Sequence, residues 1–587
     1  MWSNGQFTTL LERIEEQTQT APIAFGSNPS QRAKRAKRMS QCGAHRKGIQ
    51  SVRGEVARLT SEQQLVYAHL LLPDEPERTE PPLRKQKLDD PDNHADPDPD
   101  HEQDATPCQD LPSPMKGVKF ARMTGPGPSG FRPEHLAAML KSKRRRAVNR
   151  LLRAIGEAET MAANGTLPPA GWAWIMNSRL VYIAKKTGSV PRPIRVGEVW
   201  RRLISKHLLH RHETKVRKVM VDAAQFGVSM PGGAEALVHT LETIEATIRS
   251  DPAHGVWACI DVDFQNAFPS LRHESIDTAV GDRIPELQPW SRWCQDNCGI
   301  IFLPCGEKYQ ARRGAEQGDP LASMQCGCVI ADVIVLALAD MRTQKPQGVE
   351  LACFGFWYAD DGQYFCRPCD VDLFLRCLDR AAALAGLSRG TGHDVKSTVR
   401  VIGASIAISI LHETQEENWI TDKIRDTCRI LEPNCSIEVI GTVIGSQQDR
   451  DNAFATRLGK LQTLREDLAD TEDAGVELLL GRLCASTTKV AHSLRAHGCH
   501  LSQQLLDKFD DLTATFVGRV LGGDLHDKAI AQASLGLNFG GLGFIKAEKT
   551  CSAVTSRIPY RGAPLCGPLD YSCERSRDQL TFGTTHL

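Results

Sequence analysis

The sequence carries no net charge, because 71 Lys and Arg balance 71 Asp and Glu over 587 residues. A uniformly basic surface is thereby excluded, and any phosphate-binding face must come from local segregation of charge. Internal repeats are missing too, which excludes a solenoid or a propeller. The N-terminus lacks a signal-peptide pattern, so the 19 cysteines are expected to be reduced intracellular thiols and not a disulfide framework. Nor do those cysteines pair at zinc-finger spacing. Cys366-Arg367-Pro368-Cys369 has no matching second pair, and Cys294, Cys298 and Cys305, or His497, Cys499 and His500, are weak ligand sets. A single apolar run, residues 320–339, is long enough to pose as a membrane span. Gln325 and Asp332 interrupt it, so no membrane partner is expected and a buried core helix is the better reading. Residues 74–110 lack hydrophobic periodicity. They are acidic and proline-rich, and read as a disordered linker.

What is present is a mixed composition, 41% hydrophobic, typical of a soluble globular chain of about two to four domains. Charge is segregated. Basic clusters lie at residues 32–38, at residues 141–146 and at Arg201-Arg202, against the acidic linker. Apolar residues at helical spacing predict helices over 56–72, 452–470, 476–496 and 502–521. The run Arg32-Ala33-Lys34-Arg35-Ala36-Lys37-Arg38 reads equally as a nuclear localisation signal, an RNA-binding arm or a solvated basic tail.

Three short stretches occur in a telling order: Asp263-Phe264-Gln265-Asn266-Ala267-Phe268, then Gln317-Gly318-Asp319-Pro320, then Tyr358-Ala359-Asp360-Asp361. Asp263 follows the apolar run Val256-Trp257-Ala258-Cys259-Ile260. Asp360 and Asp361 lie between Cys353-Phe354-Gly355-Phe356-Trp357 and Gln363-Tyr364-Phe365-Cys366, which reads as a β-hairpin with Asp-Asp-Gly at its turn. Pairing that hairpin with the first strand brings all three acids to one end of a sheet. Alone, an Asp-Asp before Gly is a common hairpin turn with no further meaning. Three clustered carboxylates, however, repel one another and raise their own pKa values unless cations sit among them. Hard oxygen donors suit Mg²⁺, and two such ions are what joining a nucleotide to a primer requires. Asp261 competes with Asp263 as the first ligand, since residues two apart on a strand share a face.

Taken in this order, the motifs resemble those of reverse transcriptases, and most closely those of non-LTR retrotransposons and related retroelements. The resemblance extends over most of residues 120–445. In that family the first acid stands four residues before a small residue and five before an aromatic one. Asp263, Ala267 and Phe268 match this, and Asp261 is out of register. The resemblance implies that Asp263, Asp360 and Asp361, with the backbone carbonyl of Phe264, hold two Mg²⁺ ions, with Mn²⁺ able to replace them. It also implies that Phe268 stands against the sugar's 2′ carbon, where a ring clashes with a ribose hydroxyl and favours deoxynucleotides. Lys185-Lys186 with Arg192-Pro193-Ile194 is similar to the segment that grips the triphosphate, so Lys185 and Arg192 are expected there. Gln317 is expected near the nucleotide, and Tyr358 beside the primer terminus. Gly386-Leu387 and Lys396-Ser397 resemble the next segment, with Lys396 as a general acid for the departing pyrophosphate. Ile440-Gly441-Thr442-Val443-Ile444-Gly445 resembles the hairpin that grips the primer. Gly125-Pro126-Gly127-Pro128-Ser129-Gly130-Phe131, Gln225-Phe226-Gly227, Pro231-Gly232-Gly233-Ala234-Glu235 and, near the end, Gly540-Gly541-Leu542-Gly543-Phe544 are similar to further family segments.

The sequence departs from the family pattern at several places. Ser129 stands where Asp is commoner, Pro269 follows the aromatic, and Cys326 replaces a phenylalanine. The asparagine usual before Lys396 is replaced by Arg389-Gly390-Thr391-Gly392-His393-Asp394. None of these removes a ligand.

The implied fold is α+β, a right-hand polymerase with fingers, a palm on an antiparallel sheet and a helical thumb, behind a partly disordered N-terminal extension. The expected division is a basic, helical extension over 1–72, an acidic linker over 73–115, fingers and palm over 116–446, a thumb and C-terminal region over 447–550 and an irregular tail over 551–587. The implied activity is RNA-directed DNA polymerisation, with an RNA template, a DNA or RNA primer and dNTPs as partners, and an intracellular, nuclear location. Two other readings stand beside it. One is a catalytically inactive, retroelement-derived nucleic-acid-binding protein. The other is an RNA-dependent RNA polymerase, against which the bulky Phe268 speaks. No nuclease carboxylate set and no ribonuclease H constellation is found in the sequence, so self-sufficient transposition is not expected of this chain.

Overall fold

The computed structural model describes residues 29–41, 45, 60–72, 120–121, 124–183, 191–310, 312–349, 351–413 and 419–555. Expectations for the linker, and for the tail beyond residue 555, lie outside them. In chain order the strands are β1 (Ser178–Ile183), β2 (Arg192–Gly197), β3 (Trp257–Asp263), β4 (Ile301–Phe302), β5 (Lys308–Tyr309), β6 (Cys353–Tyr358), β7 (Asp361–Cys366), β8 (Thr398–Ile402), β9 (Arg429–Ile430), β10 (Ile437–Val439) and β11 (Thr442–Ile444).

They form a four-stranded sheet in the order β2-β1-β4-β5, a five-stranded sheet in the order β6-β7-β3-β8-β9, and the separate pair β10-β11. The antiparallel sheet expected around the acids is in fact mixed. β6, β7, β3 and β8 are antiparallel neighbours, but β8 and β9 run parallel. A chain passage through residues 403–428, including the helices Ser405–Glu413 and Asp422–Thr427, carries β9 back beside β8 in the same direction.

The five-stranded sheet is covered on both faces over most of its length, so that β7 after Asp361 and all of β8 are buried, Gln363 and Arg400 included. Alternate residues go to opposite sides. Ala258, Ile260 and Val262 of β3, with Tyr364 and Cys366 of β7, join the largest core. That core also takes in the helices His273–Arg283, Ala322–Gln344 and Val371–Leu384. Cys259 and Phe365 point the other way, into a core shared with the helix Gly233–Ser250 and the β10-β11 hairpin. The apolar run at 320–339 becomes the helix Ala322–Gln344. Its composition is that of a membrane span, yet 61% of its most apolar stretch is buried inside the protein.

After residue 445 the chain is helical, through Gln447–Ala469, Ala474–Cys484, Thr487–His497 and Gln503–Leu521, around a core of its own. The helix predicted over 476–496 is two helices. The break falls at Ala485-Ser486, where the buried Arg465 donates from Nε to the carbonyl oxygen of Ala485 at 2.9 Å. A long-range side chain thus takes the acceptor that a continuous helix would use.

The described parts of the N-terminal extension are docked on the rest of the chain. The run 32–38 lies in the helix Pro29–Gln41, whose Ala36 is fully buried in the C-terminal helical core, and Lys37 pairs with Asp473 at 2.7 Å. Residues 61–71 form a second helix, opened by a capping box between Thr60 and Gln63. That helix packs on the four-stranded sheet, where Tyr309 donates its hydroxyl to the carbonyl of Leu72 at 2.5 Å and Tyr182 donates to that of Gln64.

Candidate active site

β3 and β7 pair so that Asp263 lies directly opposite Asp361, and β6 and β7 pair so that Tyr358 lies opposite Asp361. The two residues between, Ala359 and Asp360, make the hairpin turn. The register therefore sets all three acids at one end of the sheet. On β3 the alternation puts Asp261 and Asp263 on the face away from the largest core, and on β7 it puts Asp361 and Gln363 there.

This face floors a cleft of roughly 370 Å³, lined by Asp261, Asp263, Tyr358, Asp361, Lys396 and Arg429 among others, with Ser436 to Ile440 of the β10-β11 hairpin forming a wall. The hairpin turns at Ile440 and Gly441, both at positive φ (48° and 73°), which glycine accepts freely and a β-branched residue does not.

The electrostatics are those of crowded carboxylates. Burial raises Asp360 above the ordinary carboxylate range, and the charge of Asp263 adds to it. Asp361 is exposed at the floor of the cleft. Its partial desolvation, with Asp360 and Asp263 beside it, pushes it up to about 7. Two cations oppose this. The charge of Arg192, first residue of β2, pulls down both Asp360 and Asp361, and that of Lys396 pulls down Asp360. Lys396 Nζ lies 3.3 Å from Asp263 Oδ1.

Among the described residues no three His, Cys, Asp or Glu side chains converge closely enough to hold a metal ion, the three aspartates included. They share a face and a sheet end without meeting at one point, and Asp263 is turned toward Lys396. The donor set nonetheless fits a hard divalent cation: it is carboxylate oxygen throughout, and its mutual repulsion is what such a cation relieves.

The other residues singled out in the sequence fall around this end of the sheet. Phe264 is buried and stacks on Trp357, ring centres 5.8 Å apart. Phe268, on the one-turn helix Ala267–Ser270, is half-buried against the largest core, and its carbonyl accepts from Ala315 N at 2.8 Å. That bond draws the segment carrying Gln317 alongside it. Gln317, also half-buried, accepts through its carbonyl from Arg195 N of β2 at 2.9 Å. A Cβ at Gly318 would lie 2.3 Å from the carbonyl oxygen of Arg195, so this close approach requires glycine. Tyr358 is half-buried beside the β10-β11 hairpin. Lys185 lies outside the described residues.

Several contacts around the site carried no sequence signal. Ser397 Oγ accepts from the backbone N of Asp263 at 3.1 Å. Asp261, out of register by spacing, is hydrogen-bonded by the Thr398 hydroxyl through Oδ2, while its buried Oδ1 has no hydrogen-bond partner. Behind Gln317, Arg201 ion-pairs with Glu316 and, at 2.8 Å, with Asp319, and Arg195 meets Glu316 at 3.1 Å. All four are buried. Burial works against the Arg201 charge, but Asp319 and Glu316 overcome it and drive the guanidinium pKa up.

No family model and no curated protein matches this chain. Among solved structures, the apo telomerase from Candida Tropicalis truncated from its C-terminal domain matches 39% of this chain and 51% of its own, about half its length, at 13% identity and a TM-score of 0.27. A likeness at that level carries neither fold nor activity across.

Proposed function

We propose that the chain is a nucleotidyltransferase, an RNA-directed DNA polymerase that adds dNTPs to a primer 3′ end on an RNA template. The observation that carries this reading is the register of β3 on β7, which sets Asp263 opposite Asp361 with Asp360 on the adjoining turn. In this reading the five-stranded sheet is the palm, the four-stranded sheet belongs to the fingers, and the helices after residue 446 are the thumb.

Asp263, Asp360 and Asp361, with the carbonyl of Phe264, would hold two Mg²⁺ ions, or Mn²⁺ in their place. When bound, the ions supply an activated primer hydroxyl and charge neutralisation on the triphosphate. The primer's 3′ oxygen bonds to the α-phosphorus while the bond from that phosphorus to pyrophosphate breaks. Arg192, with Lys185, grips the triphosphate, and Lys396 gives a proton to the departing pyrophosphate. Phe268 excludes the ribose hydroxyl, Gln317 lines the nucleotide pocket, and Tyr358 with the β10-β11 hairpin seats the primer end.

A catalytically silent, nucleic-acid-binding chain is the second reading, and the unconverged carboxylates favour it. Incubation with a primed RNA template, Mg²⁺ and labelled dNTP or rNTP separates the readings. Extension by dNTP, abolished in Asp360→Asn, is the expected outcome. Extension by rNTP would indicate an RNA polymerase, and extension by neither would leave the silent reading.

A further inference from the structure

We propose that Gln225 is a positioning residue, whose side-chain amide holds the turn bearing Asp360 in place. The geometry begins at an unpaired edge. β6 is the outermost strand of its sheet, and residues 224–226 run alongside it: Trp357 N donates to the carbonyl of Ala224 at 2.9 Å, and Phe226 N donates to that of Trp357 at 2.7 Å. From this added segment the Gln225 side chain reaches round the end of the hairpin. Its Nε2 donates to the carbonyl of Ala359 at 2.9 Å, and its Oε1 accepts from Ala359 N at 2.7 Å. The same oxygen accepts from Gly227 N at 3.0 Å.

One primary amide thus pairs with both polar groups of a single turn residue, as a neighbouring strand would. Gln225 is only 1% exposed, so water cannot substitute for it. Ala359 has a φ of 57°, a left-handed conformation that a residue with a Cβ keeps only when its surroundings impose it. The loop is fitted to the turn as closely as backbone allows, since a Cβ on Gly227 would lie 2.3 Å from Ala359 N. Asp360 follows Ala359 directly, so the clamp sets where that carboxylate stands relative to Asp263.

The role in catalysis rests on the polymerase reading, whereas the clamp does not, and the test separates them. Gln225→Leu removes all three bonds at nearly constant volume. Gln225→Glu keeps the acceptor and loses the donor. Amide hydrogen exchange reads the clamp directly: both variants should exchange faster at Tyr358 to Asp361 while β3 stays protected. Mn²⁺ binding to the free chain, followed by electron paramagnetic resonance, should weaken by about ten- to a hundredfold, and turnover should fall similarly with KM for primed template unchanged. Adding Ala359→Gly to Gln225→Leu relieves the left-handed conformation and should recover part of both losses. If Gln225→Leu melts as a whole, the Glu variant and this double variant decide. Unaltered exchange at the turn, or Mn²⁺ affinity within about twofold of the parent, overturns the proposal. A parent chain without polymerase activity, but with the exchange and Mn²⁺ effects intact, overturns the polymerase reading and upholds the clamp.

Discussion

Asp361 gives the site a pH signature of its own. Unfolded, it titrates near the ordinary aspartate value of about 3.9, whereas in the folded chain it is pushed up to about 7. Between those values the folded state holds a proton that the unfolded state has lost, so stability falls as pH rises through the window. Asp361→Asn removes the penalty. The variant should melt above the parent at pH 8 in chelator, lose that advantage toward pH 4, and lose it also when a divalent cation is added to the parent at pH 8. A difference in melting temperature independent of pH would contradict this account of the crowded acids. That acids of β3 and of the hairpin turn share one end of a sheet was legible in the sequence, because alternation along a strand and the chemistry of a hairpin turn are local properties, whereas the choice of Asp263 over Asp261 came from the family resemblance alone. Gln225 was not legible in that way: its bonds with Ala359 cross 134 residues and leave no local pattern. Asp261 shows the opposite case, a carboxylate whose partner Thr398 and whose unpartnered oxygen appear only once β3 and β8 are paired.

The strands and helices hold one another through charges that a sequence reading assigns to the surface. Arg201, on the helix Val199–Arg211, locks the Gln-Gly-Asp-Pro segment through Glu316 and Asp319, while Arg195 reaches the same Glu316 from β2. Arg201-Arg202 reads as a basic cluster in the sequence, yet both side chains are buried. Arg201→Leu should therefore cost about 3–5 kcal/mol, because it strands buried carboxylates without a partner. Urea denaturation of the parent and the variant measures it, and a loss below about 1 kcal/mol would show that water or a neighbour already screens them. The split at Ala485-Ser486 has the same origin. Apolar spacing continues through 476–496, while Arg465, from another helix, takes the Ala485 carbonyl at the break.

Over the molecule, zero net charge conceals separated basic faces. Lys141, Lys143, Arg144, Arg145, Arg150 and Arg153, on the helix Arg145–Ala163 and the turn before it, are all exposed. On the polymerase reading, replacing them with Gln should weaken RNA binding and flatten its salt dependence by about 0.7 in log–log slope for each single-strand phosphate that is no longer neutralised. An unchanged slope would locate the phosphate-binding face elsewhere. This charge segregation was visible in the sequence, as was the α+β character. The docking of the two N-terminal helices was not, because short segments of mixed polarity do not announce their partners.

Their docking also sets an order of events during synthesis. The face of Pro29–Gln41 that buries Ala36 rests on a core built from residues 454–547, and Lys37 meets Asp473 there. A ribosome releases the helix long before it makes that core. Until then the nascent chain carries a cationic helix whose small apolar stripe lacks its seat, open to chaperones and to the message being translated, so a segment made well before its core settles only after it.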